Sequence, residues 1–202
     1  MVAHGQVSSE DVLQFWFGPP GGPPLENAER WWKKDDAFDL EVKERFEDTL
    51  ERGRRGELNE WRTSPRGRLA LVILFDQLSR NMFRGTARSF AQDALARDVA
   101  KEALEAGDQR VLTPTEAGLL PMPFMHAEDL ALQRRCDAEF IALRDAATDE
   151  AVRNGVETSV KYAAMHRAII ERFGRFSHRN AIVQRVSTVE EEEFLKQPGS
   201  SF

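Results

Sequence analysis

The sequence predicts an all-α fold. Three observations carry that expectation. Helix-start signatures recur along the chain, apolar residues repeat at three- and four-residue spacing between them, and no stretch alternates with the period of two that a strand requires. About eight or nine helices are expected, joined by short loops as antiparallel pairs. One domain is expected over residues 1–202, with an ordered core over 7–196 and a short tail at each end.

Taken in order, Ser8 or Ser9 with Glu10 and Asp11 starts a helix carrying Val12, Leu13, Phe15, Trp16 and Phe17. The run Gly18-Pro19-Pro20-Gly21-Gly22-Pro23-Pro24 forbids regular structure and reads as a surface loop. Trp31 and Trp32 follow, then Phe38, Val42, Phe46 and Leu50 at four-residue spacing. That pattern is an amphipathic helix closed near Gly53 or Gly56. The tryptophans, Trp61 included, read as core or staple residues.

Ser64-Pro65 is a strong start, with a capping hydroxyl and proline at the first helical position. The residues after it, Leu69 to Phe75, are apolar on every side, so this helix belongs in the middle of the fold. Its last turns change character: Asp76, Arg80 and Arg84 fall on one i, i+4 line beside Gln77 and Asn81, and Gly85 is expected to close it. Asp93 to Ala106 forms the next helix, ended by Gly107. Thr113-Pro114-Thr115-Glu116 matches a capping box, and Pro121 and Pro123 limit the helix it starts. His126-Ala127-Glu128-Asp129 is expected to open a helix with Leu130, Leu132, Cys136 and Phe140. Thr148-Asp149-Glu150 opens the longest remaining one, with Tyr162, His166, Ile169 and Phe173 on one stripe and Gly174 as a left-handed terminator. Thr188 and Glu191 suit a capping box for a last helix, ahead of a Pro-Gly-Ser-Ser tail.

Composition excludes several functions. The formal net charge of −6 disfavours nucleic acid and anionic membrane as general partners. The longest apolar run, Leu69 to Phe75, is far short of the ~20 residues a membrane span needs. A single cysteine, Cys136, precludes an intramolecular disulfide. With no secretory signal evident, a cytoplasmic location is expected. No Glu-x-x-His pair, phosphate-binding glycine loop or nucleophile elbow is present, so no metal and no cofactor is expected.

Positive charge is segregated. Arg80, Arg84 and Arg88 lie between Asp76 and Asp93 with no acid among them, and Arg172, Arg175, Arg179 and Arg185 do the same between Glu171 and Glu190. Without those seven, 21 basic residues face 34 acids, a balance of −13. Arginine offers planar, bidentate donors to phosphate or carboxylate. The sequence therefore nominates a pocket for an anionic small molecule. Arg80, Arg84, Arg175 and Arg179 contact the anion, Asn81 and Asn180 orient it, and Asp76, Gln77, Glu128 and Asp129 support the arginines. His126, His166 and His178 are the candidate acids or bases. One alternative is an interaction module holding an acidic peptide in a basic groove. Another is that the same residues are structural ion pairs holding helices in register.

Four stretches together resemble a known family. They are Leu69 to Gly85 (LALVILFDQLSRNMFRG), Pro123 to Leu130 (PFMHAEDL), Phe173 to Asn180 (FGRFSHRN) and Arg185 to Glu190 (RVSTVE). In that order they are similar to the bacterial family called domain of unknown function 924, from about Trp16 to Phe194. The resemblance implies a tetratricopeptide-like helical superhelix, although the tetratricopeptide repeat signature is missing. It implies no activity. The chain departs from the family pattern at Ala127, where serine is usual, and at Ser177, where proline is usual. Ala127 offers no hydroxyl, which argues against a nucleophile at that position.

Overall fold

The computed structural model describes residues 6–19, 28–31 and 33–201. Among the described residues every regular element is helical, as expected. Trp32 and the Pro20 to Pro24 part of the glycine–proline run lie outside them.

Helix α1 (Ser9–Phe17) starts in a capping box, Ser8 and Asp11 each satisfying the other's backbone N–H. In α2 (Ala28–Trp31), the Trp31 ring stacks on Trp16 at 5.3 Å, and its Nε1–H donates to the Trp16 carbonyl at 2.9 Å. The staple role expected of these tryptophans is visible there. Helix α3 (Asp36–Arg54) is capped by Asp35 and buries Phe38, Val42, Phe46 and Leu50, the four residues of the four-residue spacing.

The centre of the fold is α4 (Pro65–Val72), started by Ser64 as a side-chain cap and Pro65. Leu69 to Phe75 are buried without exception, which answers the all-round apolar pattern. Each large side chain buried there contributes ~1.5–3 kcal/mol. It packs against α1 and against α6 (Asp93–Ala106). Beyond Val72 the helix widens into a π-helical turn, Ile73–Leu78, and narrows again as α5 (Ser79–Met82). Side chains take up carbonyls of the wide turn: Ser79 Oγ donates to Phe75 O (2.6 Å) and Arg80 Nη1 to Asp76 O (2.7 Å).

The remaining elements are α7 (Pro114–Ala117), α8 (Met122–Met125), α9 (Leu130–Ala146), α10 (Glu150–Phe173) and α11 (Val189–Leu195). Helices α9 and α10 pack along each other across a three-residue connection, an antiparallel pair. The Thr113–Glu116 and Thr188–Glu191 capping boxes both form. Gly174 closes α10 in the left-handed region, at φ +69°. Ser200, in the terminal Pro-Gly-Ser-Ser stretch, is buried and donates to the Leu195 carbonyl.

Three local expectations are corrected. The helix after Ser64 ends at Met82, ahead of Gly85, so Arg84 leaves the line it was expected to share with Asp76 and Arg80. His126 terminates α8, and Asp129 caps α9 by accepting the Ala131 and Leu132 N–H groups. The His126 to Asp129 run is therefore a bend between two helices. Buried Gln133 ties it down by donating to the Met125 and Ala127 carbonyls (2.6 and 2.8 Å). On α10, Tyr162 is exposed, and the buried stripe runs through Val156, Ala163, His166, Ile169 and Ile170.

Candidate functional site

The π turn places a carboxylate at the centre of the polar cluster. Asp76 is fully buried, and three side chains converge on it. Gln77 Nε2 donates to Oδ2 at 2.5 Å, Arg80 Nη1 lies 3.1 Å from Oδ1, and His126 Nδ1 lies 2.8 Å from Oδ1. Burial alone would raise this carboxyl. The Arg80 charge, the imidazole and the Gln77 amide outweigh that and hold it at about 2.

A carboxylate can only accept, so the proton of His126 sits on Nδ1. Its Nε2 then carries the lone pair while the ring is neutral. Burial is the main reason the ring stays neutral, pushing His126 below the ordinary imidazole range. Asp76 opposes the shift, while Arg80 and Arg179 reinforce it. Nε2 makes no hydrogen bond to a described residue, and the ring lines a recess of about 430 Å³. That volume falls within the range of small-molecule sites.

Four chain segments build the recess. Helix α6 gives Asp93 and Arg97, four residues apart and so on one face. The bend after α8 gives His126, Ala127, Glu128 and Asp129. Leu132 comes from α9, and the chain after α10 gives Arg179, Val183 and Arg185, with Phe90 opposite. Arg179 is 8% exposed and lies against two rings, 4.6 Å from the Phe90 centroid and 4.5 Å from that of Phe176. Cation–π attraction to both rings helps to fix the guanidinium. Its Nη1 reaches Asp93 Oδ2 at 3.6 Å, and its Nε has no hydrogen-bond partner among the described residues. Burial lowers Arg179 to about 10, still cationic at neutral pH. Arg80 joins from behind, with Nη2 at 3.1 Å from Asp93 Oδ1.

His166 packs against His126, and His178 follows α10. The His166 ring is 6.1 Å from that of His126, and its Nδ1 donates to the Tyr162 carbonyl at 2.8 Å. Burial lowers it to about 3, with His126 adding to the effect. His178 is lowered to about 4, by burial first and then by Arg179.

The structure thus gathers Asp76, Gln77, Arg80, His126, His166 and Arg179 into one cluster and puts Glu128 and Asp129 at its rim. It separates the others. Arg84 forms a two-pronged pair with Asp39 of α3 (2.6 and 2.9 Å), and Asn81 donates to the same carboxylate (2.8 Å). Arg175 binds Glu191 of α11 (2.7 and 2.6 Å). Asn180 donates to Ser187 Oγ at 3.1 Å. Ser177 gives its hydroxyl to Glu191 (3.1 Å), a contact a proline there would not make.

All seven segregated arginines face acids from elsewhere: Arg88 meets Glu47 and Glu51, Arg172 meets Glu190, and Arg185 grips Glu128 with both Nη atoms (2.5 and 2.8 Å). The sequence did not nominate Arg97, which makes no ion pair or hydrogen bond with a described residue. Its signal was present but ambiguous. Asp93 and Arg97 read as an ordinary i, i+4 surface pair, yet Asp93 turns to Arg80 and Arg179.

The chain matches the family model described as "Bacterial protein of unknown function (DUF924)" over residues 12–199. It is also similar to a solved structure, that of a protein of unknown function, ATU0120, from Agrobacterium tumefaciens. The two are 37% identical with a TM-score of 0.78, and the match covers 93% of this chain and 96% of that one. No curated protein matches.

Proposed function

The chain belongs to the bacterial family of unknown function DUF924, and for this member we propose that the recess beside His126 binds a small anionic molecule. Arg179 and Arg97 receive the anionic group. His126 Nε2 accepts a proton or hydrogen bond from the ligand, with Asp76 fixing the tautomer and stabilising the imidazolium that forms. Arg80 and Gln77 hold Asp76 in place. Asn81, Arg84, Arg175 and Asn180 hold helices together.

One observation carries this reading: His126, held by the buried carboxylate of Asp76, lines a recess that also holds Arg97, and neither His126 Nε2 nor Arg97 pairs with a described residue. A purely structural cluster has no need of either loose end.

A thermal-shift panel of carboxylated and phosphorylated metabolites tests it. A ligand at about 100 times its Kd should stabilise the fold by about 2.7 kcal/mol, or roughly 5–10 °C for a chain of this length. Arg97→Gln should keep the unliganded midpoint, because Arg97 pairs with no described residue, and should lose the shift. If no panel member raises the wild-type midpoint, the proposal fails.

A further inference from the structure

The charge around the recess balances, and the balance narrows the ligand. Arg80, Arg97, Arg179 and Arg185 stand against Asp76, Asp93, Glu128 and Asp129, four against four. A polyanion gains little from such a site, because a neutral lining supplies no net field to offset its charge. Most of these groups are also engaged with one another. Arg80 bridges Asp76 and Asp93, Arg179 leans on Asp93, and Arg185 grips Glu128.

Two groups are left over, and they have opposite signs. Arg97 pairs with no described residue. Asp129 uses Oδ1 to cap α9, taking the Ala131 N–H at 2.8 Å and the Leu132 N–H at 3.1 Å, while its Oδ2 makes no hydrogen bond or ion pair with a described residue. Phe90, Leu132 and Val183 supply the apolar part of the same lining.

Building on the proposed anion site, we infer that the recess recognises a zwitterion with an apolar body, of the free α-amino acid class. The carboxylate lies on Arg97 and Arg179, and the ammonium group lies on Asp129 Oδ2. Each end completes a charge that the protein leaves single. The aliphatic or aromatic side chain covers Leu132 and Val183, which gains burial without adding charge.

Isothermal titration of the full chain is the test, with leucine and phenylalanine as probes beside their N-acetyl and carboxamide derivatives. The free amino acids should bind at least tenfold more tightly than either derivative. Asp129→Asn should abolish the preference over the N-acetyl form with no change in thermal midpoint, because asparagine caps a helix as well as aspartate does. Arg97→Gln should abolish the preference over the carboxamide. Should N-acetyl-leucine or other monoanions bind as well as leucine or better, the zwitterion inference is wrong and the anion site stands. If neither the amino acids nor any monoanion binds, both are wrong.

Discussion

Replacing Asp76 with asparagine removes the charge at the centre of the cluster and keeps the shape. With its pKa held at about 2 against an ordinary 3.8, the carboxylate contributes roughly 2–3 kcal/mol of stability at pH 7. The sign follows from linkage. A depressed carboxyl stabilises the fold above its unfolded value, and that contribution disappears as pH falls through the folded value. By pH 3 roughly half of it should remain. Asp76→Asn should therefore lower the thermal midpoint by roughly 5–10 °C at pH 7. The gap between wild type and variant should narrow steadily from pH 5 to pH 3. Urea unfolding of both proteins across that range measures the gap directly, and subtraction cancels every other carboxylate. A gap under about 0.5 kcal/mol at pH 7, or one that does not change with pH, would refute the assignment of Asp76 as the ionised anchor of Arg80 and His126.

Three further outcomes follow from the geometry. Nitrogen-resolved NMR should find His166 and His178 neutral at pH 6 and His126 titrating below the usual 6.5, since burial lowers all three; a ring titrating near 6.5 contradicts that burial. The stability these rings contribute is complete above pH 6.5 and is lost as pH falls, because the unfolded chain takes up protons that the folded chain refuses. Glu191→Gln should cost about 3 kcal/mol, as Glu191 is 2% exposed and accepts from Arg175, Ser177 and the Thr188 N–H. An unchanged urea midpoint would show the clamp between α11 and the chain after α10 to be dispensable. Gly174→Ala should cost about 1 kcal/mol through its left-handed backbone alone, because nothing lies within 4 Å of the added methyl. A variant as stable as wild type would contradict the φ of +69°.

The helices were legible because their ends are written locally. Ser64-Pro65, the Thr113–Glu116 and Thr188–Glu191 boxes, Gly107 and Gly174 each act on backbone within one turn, so the sequence alone places them. The buried centre was legible too, since Leu69 to Phe75 leaves no polar face for water. Pairing across the chain was not. Nothing near Arg84 names Asp39, 45 residues away, and nothing near Arg175 announces that Glu191 will cap a helix and bind a guanidinium at once. Segregated arginines therefore suggested a single positive pocket, while the fold distributes five of the seven to separate acids. The bend at His126 was hidden for a related reason: Gln133, which ties it, acts from the following helix. Arg97 was missed because its natural local partner, Asp93, is recruited by two distant arginines.

The π turn between Val72 and Ser79 has a consequence for how the central helix can vary. A π turn holds one residue more than an α-helical path needs, and one residue is worth about 100° of rotation around the axis. The stretch from Pro65 to Met82 therefore works as two segments out of phase, one aimed at the apolar core and the other at the polar cluster. Deleting a single residue within Ile73–Leu78 should restore a uniform helix and leave Leu69 to Val72 in place. Everything from the deletion onward would then rotate by about 100°, carrying Arg80 away from Asp93. Leu78 and Met82, which also belong to the core, would turn with it, so the deletion would disturb the packing as well as remove the angular offset that lets one helix serve two faces.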